Sequence, residues 1–201
     1  MTQESSLQNG KILPPDYTME RYGLFARFVT LEDAEFILSL RVAQKSKYLS
    51  PVDNDIEKQR AWLREYKKRE AQGLDYYFIF YKDGVPVGLD RLYDFNGEEF
   101  SSGSWVFAAT APFGCAFLAC VMVRELAFYD LGFEYERVPQ GVHINNVNVK
   151  NFDFKMIGMK DLGRVQTPMG EFISLGLSKD DFEKGRKKIL SLLRIPYVSY
   201  K

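Results

Sequence analysis

Trp105-Val106-Phe107-Ala108-Ala109-Thr110-Ala111-Pro112-Phe113-Gly114-Cys115-Ala116-Phe117-Leu118-Ala119-Cys120-Val121-Met122-Val123 contains no charged side chain, and how this stretch divides decides the fold. Its length approaches the about 20 apolar residues that cross a bilayer. Thr110, Pro112 and Gly114 interrupt its centre, however, and Arg124 and Glu125 follow at once. The expectation is therefore a buried strand ending near residue 108, a loop, and a buried helix that starts near Cys115 and runs to Leu131, with Gly132 as its stop.

Upstream, residues 76–81, 85–93 and 100–108 read as extended runs separated by Asp83-Gly84 and Asn96-Gly97, which tolerate positive φ and so predict an antiparallel meander. Before it, residues 24–29 read as a strand. Thr30 and Asp33 form a capping box for a helix carrying Leu31, Ala34, Ile37 and Leu38 on one face, and Asp53, Asn54 and Asp55 offer caps for a second helix from Ile56 to Gly73. Downstream come a strand at 138–144, a helix at 147–157 closed by Gly158, and two strands around Pro168-Met169-Gly170. Ser178 and Asp181 cap a final basic amphipathic helix, whose apolar face suits either covering the sheet or pairing with a second copy. Residues 1–21 read as an arm, 22–177 as one domain, and 178–201 as a helix and tail packed on it.

The chain has 201 residues, with 27 Lys plus Arg balanced by 27 Asp plus Glu. That suits one domain and gives no basic surface for nucleic acid or anionic membrane. Cys115 and Cys120 are five apart on one helix, where they cannot meet disulfide geometry, and the N-terminus has no basic-then-apolar leader. Both features suggest a reducing, cytoplasmic setting. No Gly-x-Gly-x-x-Gly follows a strand, no phosphate-binding Gly-x-x-x-x-Gly-Lys occurs, and one histidine with two cysteines makes no metal set.

The element order resembles that of the GNAT acetyltransferases over about residues 22–177, which implies an α/β (α+β) fold with a mixed, mostly antiparallel seven-stranded sheet flanked by helices. The loop 111–116 is similar to the family's Gln/Arg-x-x-Gly-x-Gly/Ala segment at Gly114 and Ala116, with Ala111 in place of the usual Gln or Arg. Small residues there let the backbone approach a pyrophosphate at a helix N-terminus. The resemblance thus implies acetyl-CoA bound by Phe113, Gly114, Cys115 and Ala116. The backbone of Val106, Phe107 and Ala108 would pair with the pantetheine, with Asn146 at the strand exit. From Asn146 to Gly158 the spacing is one residue longer than the family pattern. Phe154 falls where many relatives carry a tyrosine that protonates the leaving thiolate, so another group or solvent must do so here. Lys47-Tyr48-Leu49-Ser50, Gln59 with Trp62-Leu63, Gly88 with residues 91–94, and Gly103-Ser104-Trp105 look like a GNAT branch that modifies amino sugars in surface-polysaccharide synthesis.

Transfer to an amine needs the amine neutral and the oxyanion stabilised. His143 reads either as a general base or as a half-buried hydrogen-bonded histidine. Glu99, with Glu98, reads either as a base or as a solvated hairpin carboxylate, and Asp90 and Asp94 are further candidates. Arg91 and Tyr93, with Trp105, read either as the lining of an acceptor cleft suited to phosphate or as an ion pair with aromatic core. The expected function is an N-acetyltransferase moving acetyl from acetyl-CoA to a small-molecule amine, with a homodimer as the family-level expectation. A GNAT-shaped binding or regulatory protein without transfer activity is the alternative, because of Ala111 and Phe154.

Overall fold

The structure is a computed structural model describing residues 12–43 and 48–200; Lys47 lies outside the described residues. Its sheet has eight strands, β1 (Thr18–Arg21), β2 (Leu24–Phe28), β3 (Asp75–Lys82), β4 (Val85–Asn96), β5 (Glu99–Phe107), β6 (Tyr135–His143), β7 (Lys160–Thr167) and β8 (Gly170–Ser178). They lie in the order β1-β2-β3-β4-β5-β6-β8-β7. The additional strand beyond the expected seven is β1, at residues read as arm: it pairs antiparallel with β2 through a turn in which Tyr22 and Gly23 both have positive φ, 58° and 71°. Two such residues make the primed turn that matches strand twist, and a tyrosine is an unusual carrier of it.

Helices α1 (Ala34–Arg41) and α2 (Ile56–Ala71) cover one face, over Val29, Tyr77, Ile79 and Leu89. The predicted capping box at Thr30 and Asp33 is present, and Asp55 caps α2 by accepting from the amides of Glu57 and Lys58. Helix α3 (Cys115–Glu125) lies in the main core on the other face with α5 (Lys179–Leu192), which Ser178 caps. The opening stretch therefore divides as expected, into strand, loop and buried helix, and among the described residues no helix is long and apolar enough to cross a membrane. Helix α3 does not stay α-helical to Leu131: residues 126–130 form a π-helical turn. Helix α4 (Val147–Phe152) behaves likewise, continuing as a π turn over residues 153–157 before Gly158, at φ 95°, ends it.

All strand pairs are antiparallel except β5–β6, which pair in parallel only through Glu99 with Tyr135 and Phe100 with Glu136. Beyond Phe100 the two strands splay apart, leaving backbone groups that a sheet would otherwise pair.

Candidate active site

Two chambers occupy the region of the splay. Both are lined by Tyr48, Leu49, residues 102–104, Val138 and Gly141. This partition depends on a bulge. Between the pairs Leu89–Val106 and Arg91–Gly103, β4 advances two residues and β5 three, and Ser104 sits at φ 54°. An extra residue breaks the alternation of side chains along a strand. Trp105 is consequently not beside Arg91 and Tyr93, as simple alternation suggested. Its indole N–H donates to the Ala116 carbonyl at 3.0 Å, and its ring stacks on Phe152 at 4.9 Å.

The inner chamber, about 140 Å³, lies between β5, β6, α3 and α4 and is lined by Trp105, Val106, Cys120, Arg124, His143 and Asn146, with Val149, Phe152 and Asp153 of α4. Asn146 caps α4, its side-chain oxygen accepting from the Val149 amide. The ring of His143 stacks against Tyr48 at 4.8 Å, and its Nδ1 accepts from the Asn145 amide at 3.1 Å. That bond places the proton of a neutral ring on Nε2. At the splay's base, Arg124 donates to both oxygens of Glu136 at 2.8 Å and also to Ser102 Oγ at 3.1 Å. Two further carboxyls, Asp90 and Asp153, are buried nearby. Asp90 Oδ1 accepts from the Arg91 amide, while Oδ2 is buried with no partner. Burial pushes the Asp90 carboxyl up to about 8 and Asp153 up to about 7, against the pull of Arg124. Burial also pushes the Cys120 thiol well up.

The outer chamber, about 600 Å³, opens on the α1–α2 side and is lined by Arg41, Lys58, Trp62, Tyr77, Arg91 and Tyr93, among others. Arg91 holds buried Asp75 with two bonds, Nε at 2.7 Å and a terminal nitrogen at 2.5 Å, and its guanidinium lies 5.3 Å from the Trp62 ring and 4.7 Å from Tyr93. It is both an ion-pair member and a chamber wall. Arg41 reaches Ser104 of the bulge at 3.3 Å and the Ser50 carbonyl at 2.6 Å. A Cβ on Gly88 would meet the Phe107 ring at 2.2 Å, so close approach favours glycine there, whereas one on Gly103 would meet only the far end of the Tyr93 side chain, its hydroxyl at 2.9 Å.

The loop residues Phe113, Gly114, Cys115 and Ala116 gather at the start of α3. Gly114 is the N-cap at φ 90°, and Phe113 is 84% exposed. Val106 and Ala108 flank the buried side of β5, where the Ala108 amide donates to Val87 across β4. Glu99 is a different case. It pairs with Arg137 at 3.0 Å where β5 and β6 still run together, and lines neither chamber. Of the residues selected from sequence, Trp105, Val106, His143 and Asn146 line the inner chamber and Arg91 and Tyr93 the outer one, whereas Phe107, Ala108, Phe113, Gly114, Cys115, Ala116 and Glu99 line neither. Residues that sequence reading passed over are Asp153, Arg124 and Glu136. The one-residue excess between Asn146 and Gly158 was the trace of the first.

The sequence profile of the acetyltransferase (GNAT) domain matches residues 24–152. Among solved structures, apo FdhC, described as a nucleotide-linked sugar GNAT, is 29% identical, with a TM-score of 0.69 over 90% of this chain and 98% of that one. RimJ of Mycobacterium smegmatis in complex with CoA-disulfide is 14% identical, with a TM-score of 0.70 over 85% and 89% of the two chains. A ribosomal-protein-serine acetyltransferase fold from Vibrio cholerae is 15% identical, with a TM-score of 0.67 over 83% and 99%. Among curated protein sequences none matches. With the profile covering well over half its length, and the splayed sheet and α3 loop in place, the chain belongs to the GNAT acetyltransferase family.

Proposed function

We propose that the protein is an acetyl-CoA-dependent N-acetyltransferase whose acceptor is an amino sugar carried on a nucleotide. The observation that supports this most is the pair of chambers meeting at the β5 bulge, one narrow and one wide. In this reading the pyrophosphate of acetyl-CoA lies at the start of α3, where unpaired N–H groups and the helix dipole favour an anion. The pantetheine fills the gap between β5 and β6 as an added strand, and the thioester reaches the bulge. The acceptor amine approaches from the outer chamber and attacks in a ternary complex, with a β5 backbone N–H polarising the thioester oxygen.

The outer chamber supports this acceptor class. Arg41 and Arg91 give it guanidinium surface suited to phosphate, while Lys58 is paired with Asp53 of the same wall at 2.6 Å, and Trp62 and Tyr93 give it aromatic surface suited to a sugar or base. Similarity to a nucleotide-linked sugar GNAT supports the same class. His143 takes an amine proton at Nδ1 only when the Asn145 amide releases it.

The test is calorimetric titration with acetyl-CoA, followed by transfer assays on nucleoside-diphosphate amino sugars, the same amino sugars without nucleotide, and an N-terminal peptide. Micromolar binding is expected for the wild type. It should be lost in folded Gly114→Trp, because a Cβ there already meets Leu193 at 3.1 Å and the φ of 90° disfavours any side chain. A nucleotide-linked acceptor should exceed its free sugar in kcat/KM by at least about tenfold, the equivalent of about 1.4 kcal/mol. Absence of binding at millimolar acetyl-CoA would overturn the acetyltransferase reading, and preference for the peptide would overturn the acceptor.

A further inference from the structure

When an amine displaces a thioester, the C–N bond forms, the C–S bond breaks and its electron pair leaves on sulfur, so a proton delivered to sulfur eases departure. Phe154 has none to give, and it packs against the main core and is absent from the residues lining the inner chamber. Helical geometry accounts for this: counted from Asn146 at 3.6 residues per turn, Val149, Phe152 and Asp153 share the face of α4 that lines the chamber, and Phe154 falls to its side. The π turn that follows adds one residue before Gly158.

The charges there are unequal. Arg124 gives its paired hydrogen bonds to Glu136, which leaves Asp90 and Asp153 without a cation of their own. Burial pushes a carboxyl in that position toward its neutral form, which can donate. Asp153 has burial pushing it up to about 7, and the titratable and charged groups around it are Asp90 on β4, Cys120 and Arg124 on α3, and His143 and Glu136 on β6. Asp90 Oδ2 is sealed from contact, and the Cys120 thiol lies 2.6 Å from an Arg124 nitrogen.

We propose that Asp153 hands its carboxyl proton to the CoA sulfur as the C–S bond breaks, and regains a proton from the one the acceptor amine loses, carried by water. The assignment rests on the acetyltransferase reading above.

The experiment is a 13C titration of aspartate carboxyls in the full chain, with and without CoA, using Asp153→Asn to identify the signal. The Asp153 signal is expected to titrate near pH 7 and to shift on CoA addition. A signal titrating near pH 4, or one untouched by bound CoA, overturns the assignment. In parallel, thiol release from acetyl-CoA, with water or amine as nucleophile, should fall about 100-fold in Asp153→Asn with acetyl-CoA affinity changed less than about threefold. An undiminished rate overturns it. Asp153→Glu identifies the signal should the asparagine variant fail to fold, and it should keep part of the rate. If folded wild type binds no CoA by calorimetry, the acetyltransferase reading fails first and the assignment falls with it.

Discussion

Arg124 and Glu125 are neighbours in sequence, yet they anchor buried polar networks that differ in how many of their carboxyls have a cation to pair with. Glu125 is a single carboxylate between two guanidiniums: Arg186 donates to it at 2.5 Å and Arg21 at 3.0 Å, with the Tyr22 hydroxyl adding a third bond at 2.5 Å. Arg186 also donates to the Val198 carbonyl and lies over the Tyr200 ring at 4.8 Å, so this network ties the β1–β2 turn, α3, α5 and the C-terminal tail together. On the next residue, Arg124 is one guanidinium among three buried carboxyls, Glu136, Asp90 and Asp153. In the Glu125 network Arg21 also reaches Asp130 and Arg186 also reaches Glu183, so every carboxylate there has a cation and the cluster holds elements in place. Around Arg124 the acids outnumber the cation, and burial pushes Asp90 and Asp153 toward their protonated forms, which gives the cluster a proton to exchange with a ligand.

The largest expected effect comes from breaking the first network. Arg186→Met should cost about 3–5 kcal/mol, since it leaves Glu125 buried with one partner fewer; denaturant titration measures it, and a loss below about 1 kcal/mol would mean the clasp is not what secures the tail. The second network should respond to pH instead. A carboxyl raised by burial binds its proton more tightly folded than unfolded, so its contribution is complete below about pH 4 and declines as pH rises through the folded value. For Asp90, raised to about 8, the decline is about 1.4 kcal/mol per pH unit at most over that window. Asp90→Asn should therefore gain on wild type from pH 5 to pH 8 in thermal melts, and parallel curves would refute a protonated Asp90. Smallest is Tyr22→Phe, which removes one hydrogen bond to Glu125 while both guanidiniums remain. A loss of about 1 kcal/mol, level between pH 5 and 9, would sharpen the contrast.

Much of the fold was legible because local signals agreed with it. Asp83-Gly84 does turn with positive φ at both residues, Thr30 with Asp33 and Ser178 with Asp181 do cap helices, and Gly73, Gly132 and Gly158 do stop them. What escaped were positions where one residue is added to a regular repeat. The bulge at Ser104 moved Trp105 to the α3 side, and the π turn at 153–157 lengthened the run to Gly158, so that a count back from Gly158 lands on Phe154 where the chamber face of α4 carries Asp153. Period-based reading assumes an unbroken repeat, so each insertion rotates every later side chain without altering composition. Strand β1 was missed because Glu20 and Arg21 look like solvated arm, although Arg21 reaches Glu125. Glu99 was selected as lying before a strand read at 100–108; it is the first residue of β5, and its charge is taken by Arg137 on the neighbouring strand.

The π turn of α4 has a consequence for how such a site changes over generations. An in-frame loss of the Asp153 codon would shorten the run to Gly158 by the added residue and set Phe154 seven positions after Asn146, bringing a hydrocarbon ring to the chamber in place of a carboxylic acid. The identity of the acid in this pocket is thus a matter of chain length as well as spelling, and relatives aligned without allowing a gap there would be compared at the wrong residue.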